Sequence, residues 1–155
     1  MREITYKAYL IKQKEMVYVH NIDLEHKIID YYGKNGDIYS AYYGTKKKTP
    51  ADKCILLEFT GLKDKNGNKI FEGDVVEYEF DGTNLYSICG STIKENIIQR
   101  VSEVKYQGTK YVLYNKNFGG YIDMDNINNS FIGDRSINLE IIGNIHENPE
   151  LLREN

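Results

Sequence analysis

Thr60–Phe80, TGLKDKNGNKIFEGDVVEYEF, reads as hairpin, tight turn and strand in one unbroken stretch. Asn66 and Gly67 both tolerate positive φ, so an Asn-Gly step between apolar segments marks a tight hairpin turn. Ile70 and Phe71 return towards a core, and Glu72, Gly73 and Asp74 turn the chain a second time. Val76, Tyr78 and Phe80 then alternate with Glu77 and Glu79, the two-residue period of a strand that buries one face. Just upstream, Ile55, Leu57 and Phe59 share one strand face opposite Leu56 and Glu58. Asp81 and Gly82 supply the next turn.

The same pattern extends towards both ends. Ile4, Tyr6, Ala8 and Leu10 alternate with Glu3, Thr5 and Lys7, and a turn over Lys12 to Glu15 leads into a strand from Met16 to His20. Asn21 to Gly33 is spaced poorly for a helix and favours irregular structure followed by a strand. Asn35, Gly36 and Asp37 form a turn before a strand over Ile38 to Tyr43. Gly44 to Asp52 is a polar loop with three lysines and a proline, and it marks a boundary between lobes. Downstream, strands are expected at Ile98 to Tyr106 and Tyr111 to Tyr114, with Gln107 and Gly108 between them. Asn115 to Ser136, rich in Asn, Asp and Gly, reads as a long surface connection. Ile137 to Ile145 is a closing strand, and Asn148 followed by Pro149 is the start of a short helix.

Fourteen Tyr and five Phe, with no Trp, support strands over helices. The expected architecture is all-β: an N-terminal β lobe over residues 1–52, then a small barrel over residues 53–155 with a closing strand and a short C-terminal helix. At 155 residues the chain buries roughly 70% of its unfolded surface, enough for a core without disulfides or metals. Cys54 and Cys89, far apart and in no CxxC spacing, read as reduced thiols. Arg2, Glu3 and Lys7 interrupt any signal-peptide pattern, and no run approaches the roughly 18 apolar residues of a membrane span. A soluble, cytoplasmic protein is expected.

Candidate chemistry is sparse. Asp64, Asn66 and Asn68 have the alternation of a calcium loop, but Lys69 stands where glycine is needed and Val75 where the bidentate glutamate belongs. His20, His26 and His146 are too scattered for zinc-ligand spacing. No GxSxG or papain-type cysteine context occurs, and Asp123 and Asp125 are more simply turn formers than an acid/base pair. No metal or cofactor is called for. Tyr42, Tyr43, Lys46, Lys47, Lys48 and Lys53 form the one patch suited to nucleic acid, joining phosphate contacts to aromatic stacking. The plainer alternative is a solvated loop. A formal charge of −3 argues against general duplex binding, and nearby Glu25, Asp30 and Asp37 limit the patch to weak binding of single strands.

Three pieces resemble one known family. Arg2 to Leu10 with the Lys12–Met16 turn, Phe59 to Asp64 with Asn66-Gly67, Ile70, Glu72-Gly73-Asp74 and Val75-Val76, and Ile141 to Pro149 are together similar to the YopX family of phage and prophage proteins of low-GC Gram-positive bacteria. Asn84 to Gln99 and Gly119 to Asp134 match less. The resemblance implies a mostly β protein with an SH3-like barrel component, and it carries over no catalytic residues because the family has no established activity. The expected function is a phage or prophage accessory protein without enzymatic activity that binds a host or phage protein, or single-stranded nucleic acid. The alternative is a small enzyme acting on nucleotides through a loop-built site. No membrane partner is expected, and self-association stays open.

Overall fold

The computed structural model describes residues 5–44, 53–81, 97–115, 120–124 and 139–153. They form an all-β protein divided into two compact units, Met1–Leu62 and Lys63–Asn155.

The first unit contains β1 (Tyr6–Leu10), β2 (Glu15–Asp23), β3 (Ile28–Tyr32), β4 (Ile38–Tyr43) and β5 (Lys53–Lys63). β1 to β4 form an antiparallel meander, β5 runs parallel to β4 through Tyr42↔Lys53 and Tyr43↔Cys54, and β5 returns antiparallel to β1 from Tyr6↔Glu58 to Leu10↔Cys54. The pairings therefore close into a ring of five strands, which leaves neither β1 nor β5 as an unpaired edge. Inside it lie Ala8, Leu10, Ile29, Tyr31, Ala41 and Cys54, with Val17, Val19, Ile22, Tyr43 and Leu56 packed against them. A bulge between Val19 and Asn21 shifts the parity of β2 by one residue. That shift lets Val17 and Val19 face inward before it and Ile22 after it, so the strand extends to Asp23, past the end expected at His20.

The second unit contains β6 (Lys69–Phe71), β7 (Asp74–Asp81), β8 (Ile97–Gln107), β9 (Lys110–Asn115), β10 (Gly120–Asp123), β11 (Glu140–Asn144) and a 3-10 turn, Pro149–Leu152. Five of these strands make an antiparallel sheet in the order β10-β9-β8-β7-β11. Phe71, Val75, Val76, Tyr78, Ser102, Val104, Val112, Leu113, Met124 and Leu139 are buried. The alternation expected of β7 holds at Val76 and Tyr78 against the more exposed Glu77 and Glu79. Tyr78 finds a polar partner for its buried hydroxyl in Ser102 Oγ, 3.2 Å away on the neighbouring strand.

Several expectations change. The boundary expected at Asp52 falls ten residues later, because β5 completes the N-terminal ring. The closed ring lies within residues 6–63, whereas the strands of the second sheet pair in linear order among the described residues. Ile55 points to solvent, while Cys54 and Leu56 on the opposite parity line the N-terminal core and Leu57 and Phe59 are also buried. The connection after Asn115 contains β10, paired with β9 from Gly120↔Asn115 to Asp123↔Val112. Asn148 makes no side-chain cap to the 3-10 turn. Its Oδ1 accepts instead from the amide of Asn144 at 3.4 Å. The expected Ile98–Tyr106 and Ile137–Ile145 strands are β8 and β11, and residues 137–138 lie outside the described residues, as does Cys89.

Candidate functional site

The segment that decides the fold is occupied by structure rather than chemistry. Asp64 Oδ1 accepts from the amides of Asn66 at 2.9 Å and Asn68 at 2.8 Å, and Oδ2 accepts from Asn68 Nδ2 at 3.1 Å and from the amide of Ile141 at 3.4 Å. Gly67 N donates to Asp64 O and Asp64 N to Asn68 O, closing the hairpin. Only Gly67 has positive φ, at 85°, so the Asn-Gly step uses its glycine alone. The turn is longer than two residues, with Asp64 at its start and glycine in the left-handed position near its end. The oxygen ligands suggested by the calcium-like spacing are thus turned onto the chain's own amides.

Asp74 repeats the device. Its Oδ2 accepts from the amide of Phe71 at 2.8 Å, and its Oδ1 from Asn144 Nδ2 at 3.1 Å. Asn144 Oδ1 in turn accepts from the amide of His146 at 3.0 Å. Two buried carboxylates therefore tie the turns of the DKNGNKIFEGD segment to β11 and the turn after it.

Burial raises the pKa of Asp64, but hydrogen bonds from the Asn68 side chain and from the amides of Asn68, Ile141 and Asn66 outweigh it and hold the carboxyl below its ordinary range. A carboxylate depressed in the folded state contributes stability above its unfolded pKa of about 3.9, and the contribution is lost as pH falls through the lower folded value. The urea midpoint is therefore expected to hold from neutral pH to about pH 5 and to drop more steeply below pH 4. Asp64→Asn should flatten that acid limb; an unchanged limb would mean Asp64 is not a source of the acid sensitivity.

Lys46, Lys47 and Lys48 lie outside the described residues. Tyr42 and Lys53 are paired neighbours on β4 and β5. Tyr43, one residue on, packs against the N-terminal core, with Lys27 Nζ 5.5 Å from its ring centre.

A different aromatic row crosses the outside of the ring. Lys7 pairs with Tyr18, Val19↔Tyr31 sets Tyr18 beside Tyr32, and Tyr32 pairs with Ile38. Tyr18 is 68% exposed, Tyr32 53% and Ile38 58%. Lys7 Nζ lies 5.2 Å from the Tyr18 ring centre, and the His20 ring packs 4.8 Å from that of Tyr32. Beside this row, Asp30 accepts from Ser40 Oγ at 2.7 Å and Asn21 Nδ2 at 3.2 Å, and these bonds lower its pKa. The signal for Tyr18 was in the sequence, since Val17 and Val19 point inward and leave Tyr18 outward. Recognising the row needed the register of four strands.

The second unit carries a cleft of about 190 Å³ lined by Glu103, Tyr114, Asn115, Pro149, Leu152 and Arg153. Glu103 and Tyr114 are cross-strand partners on β8 and β9. The 3-10 turn lies directly on β11: a Cβ added at Gly143 would stand 2.6 Å from Leu151 Cδ1 and 2.8 Å from Asn148 Oδ1. Burial raises the Glu103 pKa, against the lowering effect of Lys105 and with a further push from Glu72. Asn115 turns its amide onto Val101 O at 2.6 Å. Nothing in the sequence joins Glu103 to Arg153 across fifty residues.

Catalytic arrangements are thin among the described residues. Cys54 is buried and its thiol is pushed up to about 11 by desolvation, the opposite of an activated nucleophile. His26 Nδ1 lies 2.7 Å from Asp23 Oδ2, in an exposed turn where Asp23 also accepts from the amides of Glu25 and His26. No group of three or more His, Cys, Asp or Glu side chains is placed to hold a metal among the described residues, and no described helix is long and apolar enough to cross a membrane.

Fold and site together define a two-unit β protein whose charged turn residues are spent on its own architecture. The chain belongs to the YopX protein family, whose model matches residues 5–153. A crystal structure of protein EF1440 from Enterococcus faecalis is similar over 98% of this chain and 99% of that one, with 23% identity and a TM-score of 0.53, a likeness of fold. No curated protein matches the chain significantly.

Proposed function

We propose that this chain is a phage or prophage accessory protein that acts in the cytoplasm of its bacterial host by binding a protein partner, without enzymatic activity. The observation that carries this reading is the outward row Tyr18, Tyr32 and Ile38 on neighbouring strands. Large side chains exposed together on a regular β surface are characteristic of contact sites, and tyrosine offers much contact area at low conformational cost. A protein surface suits the row better than nucleic acid. Only Lys7 brings positive charge to it in these pairings, ionised Asp30 lies beside it, and the chain is acidic overall.

The test replaces Tyr18 and Tyr32 by Ser together, positions whose exposure keeps the stability cost small. Wild-type protein immobilised on resin is expected to retain a specific protein from host lysate, the double variant to lose it, and neither to retain single-stranded DNA or RNA at low salt. Nucleic acid held by the wild type would replace the protein partner. Equal capture of the same protein by both forms would move the binding surface elsewhere.

A further inference from the structure

We infer that the cleft between the β8–β9 pair and the 3-10 turn binds a small zwitterion, a free α-amino acid with an apolar or aromatic side chain, through Glu103 and Arg153.

Glu103 is half-buried on β8; Lys105 acts on its carboxylate electrostatically, but no described residue hydrogen-bonds to it. Arg153, which lines the same cleft, has its backbone amide bonded to Glu150 O, while its guanidinium has neither a hydrogen bond nor an ion pair among the described residues. Two opposite charges line one small cleft, yet they do not form an ion pair with each other. Leaving a partly desolvated carboxylate unpaired is costly, and a ligand cation removes that cost. The guanidinium offers a planar fork that matches a carboxylate in two parallel bonds. A ligand carrying both an ammonium and a carboxylate satisfies both walls at once.

Size and lining narrow the class. About 190 Å³ is below the range of roughly 300–1,000 Å³ typical of drug-sized ligand sites, and so too small to enclose a nucleotide. Tyr114, Pro149 and Leu152 add aromatic and apolar surface to the same lining. Asn115 turns its donor Nδ2 onto Val101 O, which leaves Arg153 as the charged donor for a carboxylate. The ammonium therefore goes to Glu103, the carboxylate to Arg153, and the side chain to Tyr114 and Leu152. The site lies in the second unit and does not depend on the tyrosine row of the first.

The experiment titrates the full chain with L-phenylalanine and L-leucine, and with their N-acetyl and carboxamide derivatives, using calorimetry and NMR signals of Tyr114 and Arg153. Free amino acids are expected to bind, and blocking either charged end should weaken binding about tenfold or more, the scale of a hydrogen bond to a charged group. Glu103→Gln should erase discrimination against the N-acetyl form, and Arg153→Met discrimination against the carboxamide. Arg153 is exposed, so its variant keeps the test decisive even if Glu103→Gln disturbs the fold. Absence of shifts at Tyr114 and Arg153 with millimolar free amino acids would overturn the inference. So would equal binding of free and blocked forms.

Discussion

Asp74→Ala is expected to lower the unfolding free energy by about 3 kcal/mol or more, because hydrogen bonds to a charged acceptor contribute roughly 1.5–3 kcal/mol each and two are lost here. The carboxylate takes the amide of Phe71 on one oxygen and Asn144 Nδ2 on the other. Asp74 is 3% exposed and Asn144 4%, so water has little room to replace the missing acceptor. Both donors would remain buried without partners, the costly half of any hydrogen-bond deletion. Asn144 would also lose its fixed orientation, and with it the acceptor for the amide of His146. Asn144→Ala removes the same link from the other side. The two substitutions should therefore be non-additive, the double variant losing about 1 kcal/mol less than the sum of the singles. Urea denaturation of the four proteins measures this directly. A loss well under 1 kcal/mol for Asp74→Ala would show that solvent reaches Phe71 N and that the buried carboxylate is replaceable.

Much of this network was legible in the sequence, though not as a network. Strand periodicity located β1 and β7, whose alternating residues show a buried face, and it located β5 although Ile55, expected on the inner face, is exposed. The turns at Asn66-Gly67 and Gly73-Asp74 followed from residue types that tolerate left-handed backbone or bond their own amides. Ring closure was not legible, since β1 pairing with β5 is a contact between residues about fifty apart that no local pattern encodes. The lobe boundary was misplaced for the same reason: a lysine-rich loop looks like a linker, yet the strand after it completes the sheet before it. Tyr42 and Tyr43 were grouped because they are adjacent, whereas strand parity sends them to opposite faces. Asp64 and Asp74 read as turn formers, and they are, but each also spends an oxygen on β11, which only tertiary pairing reveals.

Phe71→Ala is expected to cost about 3–5 kcal/mol, towards the upper part of that range. Phe71 is fully buried and leads the large side chains that no solvent reaches. Truncation removes the transfer free energy of the ring and leaves a cavity, and the cavity's cost depends on how far the surroundings can collapse. Here collapse is resisted by the backbone. Phe71 N is held by Asp74, Gly73 N donates to Val104 O at 2.7 Å, and Ile145 N donates to Gly73 O at 2.9 Å, so the turn following Phe71 is fixed from several directions. Phe71→Leu keeps most of the volume and should cost less than half as much. The decisive comparison places Phe71→Ala in the Asp74→Ala background. With the carboxylate gone the turn is free to move inward, and the ring deletion should cost about 1 kcal/mol less there than in the wild type. An equal cost in both backgrounds would mean that the cavity's walls, rather than the hydrogen-bonded turn, set its rigidity.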